Sequence, residues 1–182
     1  MQTYPIHTIA SAPEKSKPVL EQLRQTFGVI PNLAGTIANS PKLVTAFLAV
    51  FQQVHSSSLT EQEIQIVLLA DAVANSSPWA VAFHTALALK EGVSSEETDA
   101  IRERRVPRDQ RFAALSTLAK TLIEKRGHLT EGELDSFISA GFTKEQVLEV
   151  ITVVAASTIT NYAGNVANPT LEDQFREYAW RG

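Results

Sequence analysis

Residues 59–85 read Leu-Thr-Glu-Gln-Glu-Ile-Gln-Ile-Val-Leu-Leu-Ala-Asp-Ala-Val-Ala-Asn-Ser-Ser-Pro-Trp-Ala-Val-Ala-Phe-His-Thr. Thr60-Glu-Gln-Glu63 is a capping box: a threonine oxygen can take the amide three residues on, and Glu63 can reach back to the Thr60 amide. The helix it opens carries Ile64, Val67, Leu68 and Val73 and should end near Asn75. Ser77-Pro78 then sets a cap and a proline at the first helical position, which starts a second helix. That helix should run to about Glu91, with Gly92 as its stop. Two long helices across a tight turn make a helical hairpin.

The same punctuation extends in both directions. Upstream, Val19, Leu20, Leu23 and Phe27 form one apolar stripe stopped by Gly28. Ser40-Pro41 opens a helix with Leu43, Val44, Phe47, Leu48, Val50, Phe51 and Val54, apolar over most of its circumference and so expected to be buried on several sides. Downstream, Ser94 to Glu97 starts another helix, and Pro107 separates it from a long one near Asp109–Lys125. Thr130–Glu133 and Thr143–Gln146 are further capping boxes. The last opens Val147–Thr160, whose β-branched residues would suit a strand but whose cap, length and spacing favour a helix. A short amphipathic helix is expected at Leu171–Trp180. There is no alternating hairpin pattern, so the fold class is all-α. Residues 1–14 read as an extended arm on a single domain spanning 1–182. An offset of 83 positions aligns Thr60 with Thr143, Val67 with Val150 and Trp79 with Tyr162. Chance similarity between apolar helices competes with duplication, which would give two pseudo-repeated helical hairpins.

Composition limits the chemistry. The chain of 182 residues contains no cysteine, so disulfides, thiolate metal sites and cysteine redox chemistry are excluded. Hydrophobic residues make up 44 % and charged residues 20 %, an ordinary globular balance. Net charge is −4, so no electrostatic pull toward nucleic acid or anionic lipid is expected. Arg102, Arg104, Arg105, Arg108 and Arg111 are interleaved with Glu103 and Asp109, the pattern of a solvated face. The apolar runs at 43–54 and 147–159 fall short of the ~20 residues of a membrane span, and the N-terminus lacks the pattern of a signal peptide. The expected setting is the cytoplasm, with no membrane partner. His7, His55, His84 and His128 show no metal-ligand spacing, and there is no glycine-rich phosphate loop, the glycines lying at apparent helix ends. No metal or cofactor is expected.

The 59–85 stretch resembles the core of the carboxymuconolactone decarboxylase superfamily, in particular its alkylhydroperoxidase D-like, peroxidase-related branch. Phe27-Gly-Val-Ile-Pro-Asn32, the helix from Gly141 to Val150 and Asn161-Tyr162 extend the likeness over the whole chain. The resemblance implies an alkylhydroperoxidase D-like helical bundle. It also implies a site made of a buried glutamate, two cysteines three positions apart and a histidine four residues further on. Here those positions hold Gln65, Ser77, Ala80 and His84, with Trp79 between the cysteine positions and Asn75 just before them, both expected in the pocket. A serine hydroxyl stays protonated at neutral pH and forms no disulfide, and Ala80 has no sulfur. Gln65 cannot take up a proton as a carboxylate does. With cysteine absent throughout, the replacements read as natural divergence rather than deliberate knockouts.

Only His84 survives, and it has two readings. Ser77, Ala80 and His84, at i, i+3 and i+7, share a helix face that Gln65 on the preceding helix can reach. His84 is then either an acid/base in a retained pocket with Gln65 and Ser77 as orienters, or a core histidine bonded to Gln65 or a backbone carbonyl. The second is the commoner fate of such a residue. A Ser77–His84 nucleophile pair is disfavoured, because the offset separates them by about 10 Å along the axis. Ser77 has a sufficient role as a cap, and Asn161 and Tyr162 read as packing. Three functions follow: a pocket-bearing binder of a small organic ligand without thiol activity, a decarboxylase-type acid/base enzyme using His84 with an arginine from 102–108 on a substrate carboxylate, and a structural protein. The apolar helices and the family's usual assemblies imply a homo-oligomer, from dimer to hexamer.

Overall fold

The computed structural model describes residues 4–182, so residues 1–3 of the expected arm lie outside the description. Among the described residues there is no strand. Nine α-helices follow in order: α1 Lys17–Phe27, α2 Asn32–Ile37, α3 Pro41–Val54, α4 Glu61–Ala74, α5 Pro78–Lys90, α6 Ser95–Arg102, α7 Gln110–Glu124, α8 Glu131–Ser139 and α9 Lys144–Ala167. All three capping boxes form. At α4, the Thr60 amide donates to Glu63 Oε2 over 2.9 Å and the Glu63 amide to Thr60 Oγ1 over 3.3 Å. Gly28 ends α1 in the left-handed conformation, at φ 77°.

The core is organised around α4, which packs against α5, α6, α7 and α9. Eleven consecutive residues, Glu63 to Val73, are buried, so this helix is covered on every side. Glu63 is paired with Arg111, whose Nη2 lies 2.7 Å away and whose guanidinium sits 3.9 Å above the Phe142 ring. That contact ties the starts of α4, α7 and α9 together.

The structure corrects several expectations. Residues 32–37, for which no helix was expected, form α2, which follows Pro31. The C-terminal segment is a 3-10 helix, Asp173–Tyr178, and not an α-helix. It is too short for a stable α-helical face and is held by docking on α5. Helix α3 is not buried on several sides: only Val44 and Val54 are, and the other apolar side chains stay half-buried or exposed. Helix α9 runs seven residues past Thr160, to 24 residues in all, so it is long and apolar enough to cross a membrane by length and composition; here its inner face packs on α2, α3, α4, α5 and α7. The offset of 83 aligns the starts of α4 and α9, but the turn at 75–77 has no counterpart, because α9 continues through Thr158–Thr160. The second hairpin is therefore absent.

The arm is also more fixed than its sequence indicates. The His7 amide donates to the Gly35 carbonyl over 3.1 Å, and Asn39 Nδ2 donates to the Pro5 carbonyl over 2.8 Å. Gly35 lies inside α2 and not at a helix end. A Cβ there would sit 2.6 Å from the His7 carbonyl oxygen, so only glycine lets the arm approach.

Candidate functional site

The four motif positions fall on α4 and α5, and the antiparallel pair brings two of them together. His84 Nδ1 lies 3.1 Å from Gln65 Oε1. The amide oxygen can only accept, so the ring carries its proton on Nδ1 and leaves Nε2 as an acceptor. His84 is buried, which pushes its pKa down from 6.5 to about 3, with a further lowering from His55. It is a neutral imidazole at any physiological pH. Gln65 thus reaches the ring, as both readings of His84 expect.

Ser77 and Ala80 are buried, but they do not join this pair. Ser77 occupies the N-cap position of α5, yet its hydroxyl makes no capping bond, contrary to expectation. Pro78 presets the first turn, and the Ser77 hydroxyl oxygen instead faces Gly164 on α9, within 3.6 Å of where a Cβ would stand. Asn75, expected in the pocket, lies outside it and donates to Asp71 Oδ1 over 3.1 Å.

His84 and Trp79 line a cavity walled by α1, α2, α3, α4, α5 and α9. Its wall is aromatic: Phe27 and Phe51 pack at 5.6 Å between centroids, and Trp79 stacks on Phe83 at 4.8 Å. The polar side chains on its wall are His84, Ser157 and Thr160. Thr160 already donates its hydroxyl proton to the Ser157 carbonyl over 2.9 Å, so it offers the cavity only lone pairs. The cavity holds about 60 Å³. That is under half of the roughly 150 Å³ that admits benzene in an apolar cavity, so a ring needs side-chain movement. Phe47 and Phe51 of α3, on that wall, are half-buried.

The C-terminal segment packs against two aromatic residues of the wall, Trp79 and Phe83. Glu172 accepts from the Asn32 amide over 2.7 Å and from Trp79 Nε1 over 3.0 Å, and Phe175 packs edge-on to Phe83 at 5.2 Å. Sequence reasoning had no signal for Glu172, since its partners are 140 and 93 residues away.

No arginine reaches the cavity. Arg102 donates to Thr85 Oγ1 and to the Tyr178 carbonyl, both over 2.9 Å, and so clamps the C-terminal segment. Arg104 reaches Ser76 and lies over the Trp180 ring. Arg105 pairs with Glu103 and Arg108 with Glu96. The expected arginine on a substrate carboxylate is thus not brought to His84. His55 and His128 are exposed, as expected.

The sequence reading missed one buried acid. Asp71 is fully buried on α4, and Asn161 Nδ2 donates to its Oδ2 over 2.9 Å. Burial raises its pKa from 3.8 to about 7, against the lowering pull of Ser157, Asn161 and Asn75. Asn161, read as packing, is buried but also belongs to this polar cluster. Among the described residues no group of three or more acidic or histidine side chains could hold a metal.

These features define a helical bundle with an apolar cavity beside a glutamine-held histidine. Residues 41–121 match the carboxymuconolactone decarboxylase family. Over those residues the chain is similar to that family, and its fold is shared with alkylhydroperoxidase D-like proteins; it contains no cysteine. The fold is similar to that of an uncharacterized peroxidase-related protein with an alkylhydroperoxidase AhpD core from Ralstonia eutropha JMP134: TM-score 0.82, 21 % identity, 95 % of this chain and 93 % of that one. A peroxidase-related protein from Silicibacter sp. TM1040 superposes with TM-score 0.78 at 16 % identity, over 94 % and 91 %. A cysteine-to-alanine variant of the debrominase Bmp8, in complex with 2,3,4-tribromopyrrole, superposes with TM-score 0.80 at 16 % identity, over 98 % and 95 %. No protein of curated function matches this sequence.

Proposed function

We propose that this chain binds a small aromatic molecule carrying a hydrogen-bond donor, in the cavity beside His84, and has no thiol peroxidase activity. The observation that carries the reading is the state of His84: neutral, pinned by Gln65, and presenting an acceptor nitrogen on an aromatic wall. A donor such as a phenolic O–H or a pyrrole N–H suits that nitrogen and the lone pairs of Thr160. The fold shared with a protein bound to a brominated pyrrole supports the same ligand size. The decarboxylase alternative loses support, because an imidazole whose conjugate acid has a pKa of about 3 is a weak base, and no arginine stands by to fix a carboxylate.

The test is phenol titration of a Trp180→Phe background, read by Trp79 fluorescence. A dissociation constant on the order of 1 mM is expected, about −4 kcal/mol. His84→Phe should weaken it several-fold. No saturable quenching, or equal binding by the variant, overturns the reading. In a peroxide-consumption assay with dithiol reductant, turnover should not exceed the blank.

Assembly belongs to the same reading. Helix α3 leaves most of its apolar residues outside the core, and α9 exposes Leu148, Ile151, Tyr162 and Val166 in one stripe. A second copy of this chain would cover both. Light scattering should show a dimer or larger, and Ile151→Lys should dissociate it. The reading also keeps the chain in the cytoplasm without nucleic-acid or membrane partners; the net charge of −4 supports the first of those exclusions.

A further inference from the structure

Trp79 stands in the cavity wall with its ring held at two places. It stacks on Phe83 with the ring planes 19° apart, which fixes the plane of the indole. Its Nε1 donates to Glu172 Oε2 over 3.0 Å, which fixes the rotation within that plane. The other oxygen of the same carboxylate accepts from the Asn32 amide over 2.7 Å. Asn32 is the first residue of α2, so this amide has no partner inside its own helix. Helix α2 supplies Leu33, Ala34 and Ile37 to the cavity wall. One carboxylate thus uses both oxygens to tie two walls of the cavity, although Glu172 itself does not line it.

The segment that carries Glu172 is anchored on both sides of it. Before it, Asn32 Nδ2 donates to the Thr170 carbonyl over 2.9 Å. After it, Phe175 packs edge-on to Phe83, and Arg102 donates to the Tyr178 and Ala179 carbonyls. Trp180 Nε1 donates back to the Arg102 carbonyl over 3.0 Å. Of the aromatic residues in the wall, Trp79 and Phe83 are buried, whereas Phe27, Phe47 and Phe51 are half-buried. The side that the segment backs is therefore the firmer one.

From these contacts we infer that Glu172 is a positioning residue of the ligand site: it holds the Trp79 ring where a bound aromatic molecule meets it, and so couples binding in the cavity to docking of the C-terminal segment. The inference rests on the proposed binding function. Glu172 touches no ligand. It removes freedom from the ring before binding, so a ligand does not have to order it. The acceptor is a carboxylate, which makes the bond to the indole one of the stronger, charge-assisted kind. The bond also consumes the only polar hydrogen of the indole, leaving Trp79 to offer the cavity apolar ring surface alone. The coupling is reciprocal: a ligand that favours the held ring favours the docked segment by the same factor.

A double-mutant cycle separates the indole bond from the Asn32 bond. In NMR titrations, Glu172→Ala should weaken phenol binding about fivefold, the worth of one hydrogen bond. In a Trp79→Phe background, which has no N–H, the same substitution should change affinity by less than about twofold. Equal weakening in both backgrounds assigns the effect to Asn32 and overturns the inference, as does no weakening in either. The coupling is read in the unsubstituted protein. Arg176 lies in the segment and is exposed, and so is Arg126 in the loop after α7. With phenol at about ten times its dissociation constant, trypsin cleavage at Arg176 should slow about tenfold while cleavage at Arg126 keeps its rate. An unchanged or faster cut at Arg176 refutes the coupling. If phenol does not bind, the binding function falls, and the positioning is read in the free protein. There, Glu172→Ala should let the nitrogen-15-labelled indole N–H of Trp79, assigned through Trp180→Phe, exchange with solvent about fivefold faster. An indole N–H whose exchange is unchanged refutes the positioning role.

Discussion

Two buried groups on facing helices should pull stability in opposite directions with pH, and replacing Asp71 separates them. Asp71 has a folded pKa of about 7 against 3.8 for the free side chain. Its folded form holds a proton that the unfolded chain has lost, so its contribution is fully present below pH 3.8 and disappears as pH rises through 7. At 1.36 kcal/mol per pKa unit, the loss is about 4 kcal/mol. His84 is the reverse. Its pKa falls from 6.5 to about 3, so its contribution is present above pH 6.5 and is lost as pH falls toward 3, by about 5 kcal/mol. Between pH 4 and 6.5 the two slopes nearly cancel. In Asp71→Asn the histidine slope stands alone. Relative to the parent, the variant should therefore gain about 3 kcal/mol between pH 4 and 7, whatever its absolute stability. Urea unfolding followed by circular dichroism at half-unit pH steps gives the difference curve, with the exposed carboxylates common to both proteins. A difference that stays constant within about 1 kcal/mol over that range would refute the buried acid and the linkage drawn from it.

Gln65→Leu removes the acceptor of the His84 Nδ1 proton and should destabilise the protein by about 1–3 kcal/mol, measured by the urea midpoint at pH 7. Gly35→Ala places a methyl 2.6 Å from the His7 carbonyl oxygen; the arm should lift, seen as faster proteolysis ahead of α1 and a loss of about 1–3 kcal/mol. Thr60→Ala deletes the cap of the central helix and should cost about 1 kcal/mol, again by urea unfolding. Gln65→Glu, Ser77→Cys and Ala80→Cys together should form a disulfide at the start of α5 and regain measurable hydroperoxide consumption. A folded triple variant that never forms that disulfide refutes the positional match to the family.

The helices and their starts were legible because their signals are local. Thr60-x-x-Glu63, Thr130-x-x-Glu133 and Thr143-x-x-Gln146 satisfy orphan amides within one turn, and tertiary context did not override them. The Gln65–His84 contact was legible as well, because a tight turn between two antiparallel helices fixes which faces meet. The site's other half was not. Glu172 acts on Asn32 and Trp79, and Asn161 acts on Asp71 across 90 residues. Such pairings carry no periodic signature, and Asp71 in an apolar helix looked like any tolerated polar residue.

By itself, then, the sequence determined an all-α chain, its caps, the absence of thiol chemistry and the survival of His84, since each depends on residue identity or on contacts within a few positions. Only the tertiary structure decided that His84 is neutral, that its neighbours form an aromatic cavity, and that a buried carboxyl stands behind Ser157. Burial and long-range hydrogen bonding set protonation, and both exist only after α4, α5 and α9 have packed together.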